Sequence, residues 1–131
     1  MIFDTDIIIW VQRGNSKAAE LIDADNERCI SIISYMELLQ NAKNKQQQIV
    51  IKNYIKEMDF IILSLSENIG HRASIYIEEY SLSYGISADD ALIAATAIEN
   101  NQILVSGNLK HYKPIHELKL KRFHPYERPG T

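Results

Sequence analysis

The sequence predicts an α/β domain of three layers, α/β/α, in which helices cover both faces of a central, mostly parallel sheet of four to five strands. Three observations predict it. Short, almost wholly apolar runs alternate along the chain with longer segments of helical periodicity. Those runs lack the in–out alternation of a half-wetted sheet, so both of their faces are buried, as in parallel sheets covered twice. The 131 residues, 46% of them apolar, suffice for one buried core and leave no room for a second domain, so one domain spanning 1–131 is expected.

Residues 1–3 form a brief strand that runs into Asp4-Thr5-Asp6, polar residues of the kind that open a helix, and residues 17–24 continue as helix. Residues 28–33, Arg-Cys-Ile-Ser-Ile-Ile, make a β-branched second strand, after which the pattern turns helical over 34–39. Residues 43–58 space Ile49, Ile51, Ile55 and Met58 among Lys and Gln, an amphipathic helix with a wet outer face. Residues 60–63 read as the third strand. A helix over 66–84 follows and stops at Gly85, a residue suited to a left-handed cap. Residues 89–99 are an Ala-rich helix whose Ala91, Ala94, Ala95 and Ala97 permit close approach to a sheet. Residues 103–105 form the fourth strand and 120–123 a weak fifth. Neither an internal repeat nor a low-complexity segment interrupts this order.

Composition narrows the functional classes. No apolar run approaches the ~18 residues that cross a bilayer, and Met1-Ile2-Phe3-Asp4 lacks the basic start of a secretory signal. A soluble, cytoplasmic protein without membrane association is therefore expected. The one cysteine, Cys29, excludes an internal disulfide and, next to Ile30, is expected as a buried thiol. A net charge of −3 and a pI near 5.8 run against a protein that grips nucleic acid by overall charge. The charge is uneven, however. From Lys110 onward stand Lys110, Lys113, Lys119, Lys121, Arg122 and Arg128 against Glu117 and Glu127. This basic C-terminal stretch, densest from about 113, suits a phosphate backbone, an acidic partner or plain solvation.

In open parallel sheets, ligands gather outside the carboxyl ends of the strands where strand order reverses. Asp4 follows the first strand, Glu37 comes shortly after the second, Asp90 starts the Ala-rich helix and Asn108 follows the fourth strand. A parallel sheet brings most of them to one edge. Carboxylates crowded there repel one another and take raised pKa values unless a cation lies among them. Hard oxygen donors of this kind suit Mg²⁺ or Mn²⁺, whose shells retain water and admit substrate phosphate. A cation so held activates water and stabilises an in-line displacement at phosphorus. His71, His111, His116 and His124 are scattered and offer no zinc spacing. Each acid also has a plain helical reading: Ser34-x-x-Glu37 has capping-box form, Ser87 to Asp90 repeats it, and Asp4 or Asp6 suits an N-cap. Caps have no reason to share one edge of a sheet, and that sets the group apart.

These residues lie in motifs that resemble those of the PIN-domain nucleases, VapC-type toxins in particular, over residues 2–112. Ile2-Phe3-Asp4-Thr5-Asp6 is similar to the family's opening hydrophobic-D-T/S-N/D motif. Ser31-Ile32-Ile33-Ser34-Tyr35-Met36-Glu37-Leu38 resembles its S-x-x-S-x-x-E-L pattern. Asp90-Ala91-Leu92-Ile93-Ala94-Ala95-Thr96-Ala97 is similar to its D-A-L-I-A-A-T-A helix, the most specific match, and Leu104-Val105-Ser106-Gly107-Asn108-Leu109-Lys110-His111-Tyr112 to L-V-T-x-N/D-x-x-H/D-F. The resemblance implies a PIN-like fold and an endoribonuclease dependent on Mg²⁺ or Mn²⁺, the toxin half of a toxin–antitoxin pair. It further implies Asp4, Glu37 and Asp90 as metal ligands, Asn108 as a fourth catalytic residue, Asp6 and Ser106 as accessory groups, and water as the nucleophile. Asp6 stands where Asn is frequent, Asn108 adds no charge, and Gly107 replaces a basic residue frequent in that loop. A cognate antitoxin is implied as partner, its C-terminal segment crossing the acidic groove with a basic side chain among the acids. Homodimers are common in such folds. RNA contact then falls to metal-bridged phosphates and to local cations such as Lys110, Lys113 and Arg122, which reconciles the low pI with an RNA substrate.

Two alternatives stand beside this reading. Phe3-Asp4-Thr5-Asp6 and Asp89-Asp90 also resemble the D-x-D start and late acid pair of haloacid-dehalogenase-like phosphatases, in which Asp4 would carry a phosphoryl group. Those late acids follow a hydrophobic strand, whereas Ser83-Tyr84-Gly85-Ile86-Ser87 precedes them here. A catalytically inactive binding module of PIN fold predicts the loss of an acid, and Asp4, Glu37 and Asp90 are all present.

Overall fold

The computed structural model describes residues 1–126, and along them strands and helices alternate as the apolar runs require. β1 (Ile2–Phe3), α1 (Thr5–Gln12) and α2 (Ser16–Asp23) are followed by β2 (Cys29–Ser31), α3 (Ile32–Gln40) and α4 (Lys45–Glu57). Then come β3 (Ile61–Leu63), α5 (Glu67–Tyr84), α6 (Ala88–Glu99), β4 (Leu104–Ser106), α7 (Leu109–Tyr112) and β5 (Leu120–Arg122). The strands form one five-stranded sheet in the order β3-β2-β1-β4-β5. Every neighbouring pair is parallel, the weak fifth strand included.

Adjacent residues of each central strand face opposite helical layers, which is why the strands read as unbroken apolar runs. Ile2, Cys29 and Leu104 pack with Ile69, Ala73 and Ala94 of α5 and α6. Phe3, Ile30 and Val105 pack on the other side with Ile8, Ile22 and Ile55 of α1, α2 and α4. Ala91, Ala94, Ala95 and Ala97 of α6 are all fully buried, in keeping with close approach. Cys29 is the expected buried thiol, its pKa raised by that burial. No helix among the described residues is long and apolar enough to cross a membrane.

Several boundaries differ from the sequence expectation. The helix expected to continue through 17–24 is a separate element: Gly14, at φ +84°, turns the chain after α1, and Asn15 caps α2 anew by accepting from the Ala18 amide. β2 stops at Ser31 rather than Ile33, because the Ser31 side chain accepts from the Ile33 amide and starts α3 two residues early. Ser34 therefore lies inside α3, and Ser34 to Glu37 is not a capping box. The helix expected over 43–58 is α4, capped by Asn44. Gly85, at φ +71°, ends α5 as anticipated. Glu127 and Arg128, part of the basic stretch read from the sequence, lie outside the described residues.

Candidate active site

The sheet order reverses at β1. The chain moves outward through β2 and β3, then crosses back to lay β4 on the other side of β1. The carboxyl ends of β1 and β4 therefore diverge into a crevice, and Asp4 and Ser106 line it. Asp4 is 6% exposed, yet its carboxylate is well held. Oδ1 accepts from the Thr5 amide at 2.8 Å, while Oδ2 accepts from the Ser106 hydroxyl at 2.7 Å and the Tyr112 hydroxyl at 3.0 Å. It is thus both the N-cap of α1 and the centre of the crevice.

Asp90 arrives on the first turn of α6, whose N-cap is Ser87, leaving the Asp90 carboxylate free to face the crevice. Its Oδ1 lies 3.3 Å from the Tyr112 hydroxyl and its Oδ2 3.0 Å from His111 Nδ1. Tyr112 so stands between two carboxylates with a single proton to donate, and the shorter contact is to Asp4. Glu37, near the end of α3, accepts from Thr5 Oγ1 at 2.7 Å. Thr5 thereby serves both acids, Asp4 through its amide and Glu37 through its hydroxyl.

Asp6 reaches the β4–α7 turn, where its Oδ2 accepts from the Gly107 amide at 2.9 Å. A side chain at position 107 would crowd this contact: a Cβ there would lie 2.8 Å from Asp6 Oδ2. The other oxygen, Oδ1, is buried without a hydrogen-bond partner among the described residues. Asn108 stands at the rim, its amide N–H donating to Ser106 Oγ and its side-chain Nδ2 3.2 Å from His111 Nδ1.

The electrostatics follow from this crowding. Burial above all, with the charge of Asp90 adding to it, raises the Asp4 carboxyl despite three hydrogen bonds that oppose the shift. Asp6 is pushed from 3.8 to about 6 by burial and by Asp4. Glu37 is raised by burial first and then by Asp89, Asp4 and Asp90. Tyr112 is pushed well above its ordinary value by burial and by the two carboxylates it touches, so it stays a neutral donor.

All six residues singled out from the sequence, Asp4, Asp6, Glu37, Asp90, Ser106 and Asn108, therefore lie along one crevice or its rim: five are directly linked or joined through Thr5, Tyr112 and His111, and Asp6 is tied in through the Gly107 amide. Those three linkers escaped sequence reasoning. His111, read as one of four scattered histidines, lies against Asp90; its place three residues after Asn108 in a short helix was the available signal. Thr5 and Tyr112 stood at motif positions, but their contacts to Glu37, Asp4 and Asp90 join residues remote in sequence.

The donor set has the chemistry of a site for a hard divalent cation: raised carboxylates and an orphaned Asp6 oxygen, with no thiolate among them. Among the described residues, no three acidic, His or Cys side chains stand close enough to enclose an ion unaided. Tyr112 separates Asp4 from Asp90, and Thr5 draws Glu37 to itself. That spacing remains compatible with Mg²⁺, which takes one or two carboxylates and fills its shell with water and phosphate oxygen.

Comparison with known proteins agrees with this geometry. A family profile described as PIN domain matches residues 1–114. Ribonuclease VapC1 of Rickettsia felis is 31% identical over 126 residues, covering 92% of this chain and 93% of that protein. Among solved structures, a toxin–antitoxin complex from Klebsiella pneumoniae superposes with a TM-score of 0.77 at 28% identity, covering 97% of this chain and 98% of the other. VapBC2 from Rickettsia felis, bound to a DNA fragment from its promoter, gives 0.76 at 26% identity, with 95% and 100% covered.

Proposed function

The chain belongs to the PIN-domain family, among the VapC-type ribonuclease toxins, and on that premise we propose that it holds Mg²⁺ or Mn²⁺ at Asp4, Glu37 and Asp90 and hydrolyses RNA phosphodiester bonds with water as the nucleophile. The observation that carries this reading is the convergence of acids from three separate segments on one crevice of a parallel sheet, with the Asp4 and Glu37 carboxyls raised and no lysine or arginine paired with the three acids among the described residues. A divalent cation there supplies Lewis acidity, lowering the pKa of water and offsetting charge on the phosphate. The protein's own part is orientation. The Thr5 amide, Ser106 and Tyr112 fix the Asp4 carboxylate, the Thr5 hydroxyl aims Glu37, and His111 with Asn108 borders Asp90 at the rim. Asp6 secures the Gly107 amide and so the turn that carries Asn108.

Similar proteins crystallised in toxin–antitoxin complexes support a cognate antitoxin as partner; the acidity of the crevice suits a basic side chain of that partner among these acids. The phosphatase alternative loses its footing, since Asp89 and Asp90 open a helix that follows α5 rather than a strand. The test is cleavage of a pool of folded and unfolded RNAs by protein freed of any antitoxin, with Mg²⁺ or Mn²⁺ against EDTA, alongside Asp4→Asn and Asp90→Asn. Metal-dependent cutting that both variants lose is the expected outcome. A folded wild-type protein that cuts nothing would leave a binding module in its place.

A further inference from the structure

We propose that the cleft between α2 and β5 carries the RNA strand away from the acids, with Lys17, Lys121, Arg122 and His124 contacting its phosphates. This rests on the ribonuclease reading and assigns the flanking part of the substrate. The cleft measures about 430 Å³ and runs between Lys17 and Leu21 of α2 and residues 121–124, with Glu20 its one acid among the described residues. Lys17, Lys121 and Arg122 form no salt bridge among the described residues. Glu117, four residues before Lys121, is engaged elsewhere, accepting from Tyr76 and lying 3.6 Å from Arg72.

Position ties the cleft to the crevice. Arg122 is the register partner of Ser106 across the β4–β5 ladder, and the Phe123 amide donates to the Ser106 carbonyl at 2.9 Å. Ser106 in turn donates to Asp4. The cleft thus opens one strand spacing, roughly 4.8 Å, from a residue that touches the central acid. Its walls are fastened to each other. Asn15 caps α2 through Ala18 and donates its Nδ2 to the Pro125 carbonyl at 3.1 Å, while Trp10 meets Tyr126 edge to face at 5.6 Å. The cleft is preformed, so little ordering accompanies binding.

Charge explains why such a cleft is needed. A cluster of carboxylates repels any polyanion, and the chain is acidic overall, so attraction on the flanking phosphates must draw the scissile one into the crevice. Regularly spaced phosphates on a strand already threaded through the crevice would meet these side chains in turn.

The test compares wild type, the double variant Lys17→Gln/Lys121→Gln, and a control of equal charge loss, Lys52→Gln/Lys56→Gln on α4. KM and kcat are measured with Mn²⁺ over a range of salt, on single-stranded RNA that the wild type cuts. The cleft variant is expected to raise KM roughly tenfold, the scale of two exposed ion pairs, at little change in kcat. Its log–log salt slope should be shallower by about 1.4, the release expected for two single-strand phosphate contacts. The control keeps the wild-type KM and slope. A cleft variant indistinguishable from wild type, or a control that falls equally, overturns the assignment while leaving the ribonuclease intact. A variant that keeps its KM but loses retention of an oligoglutamate peptide assigns the cleft to an acidic partner instead. Wild-type protein that cuts no RNA overturns both readings together.

Discussion

Asp6 is buried beside Asp4, and that burial, with the neighbouring charge adding to it, gives its ionisation a cost that the folded chain bears and the unfolded chain does not. A carboxyl raised from 3.8 to about 6 holds its proton more tightly when folded. Its contribution to stability is therefore fully present below 3.8 and lost as pH rises through about 6. Asp6→Asn keeps an acceptor for the Gly107 amide and removes the charge. In metal-free protein, urea midpoints should show the variant gaining on wild type as pH moves across that window; a gap independent of pH would mean that Asp6 ionises freely. The same residue shows where sequence reading stops. Its place beside Asp4 was visible, but its bond to Gly107, 101 positions away, required the fold. Tyr112, 108 positions from Asp4, is the sharper case: it stood as the last residue of its motif with no role assigned.

At the level of elements, the clearest disagreement between sequence and structure is the start of α3. Ser34-x-x-Glu37 fits a capping box, but residues three apart also share one face within a helix, so the spacing alone cannot separate cap from interior. The local hydrogen bond decides: Ser31, fully buried at the end of β2, accepts from the Ile33 amide at 3.0 Å. That shift releases Glu37 from capping and leaves it available to Thr5. Ser31→Ala should cost about 1–2 kcal/mol in urea unfolding, because a buried amide loses its partner. Ser34→Ala should be near neutral by the same measurement, since the buried Ser34 hydroxyl has no hydrogen-bond partner among the described residues. The reverse ranking would restore the capping box. Other elements were plain in advance for physical reasons: Gly85 supplies the left-handed cap of α5, and the alanines of α6 mark where a helix lies close on a sheet.

For the molecule as a whole, the alternation of apolar runs with helices foretold a parallel sheet, and a parallel sheet places the ends of its strands on one edge. What the alternation did not specify was strand order. Only the return of the chain to the far side of β1 puts Asp4 beside Ser106, and only α6 crossing behind them brings in Asp90. The crevice is thus a product of topology, and its residues have little to do with one another until the sheet is assembled. Manganese binding to the metal-free protein, followed by electron paramagnetic resonance, tests that convergence most directly. Wild type should bind Mn²⁺, and Asp4→Asn, Glu37→Gln and Asp90→Asn should each weaken it by roughly tenfold or more while remaining folded. Equal affinity in all four proteins, or none in folded wild type, would contradict a cation site at this edge of the sheet.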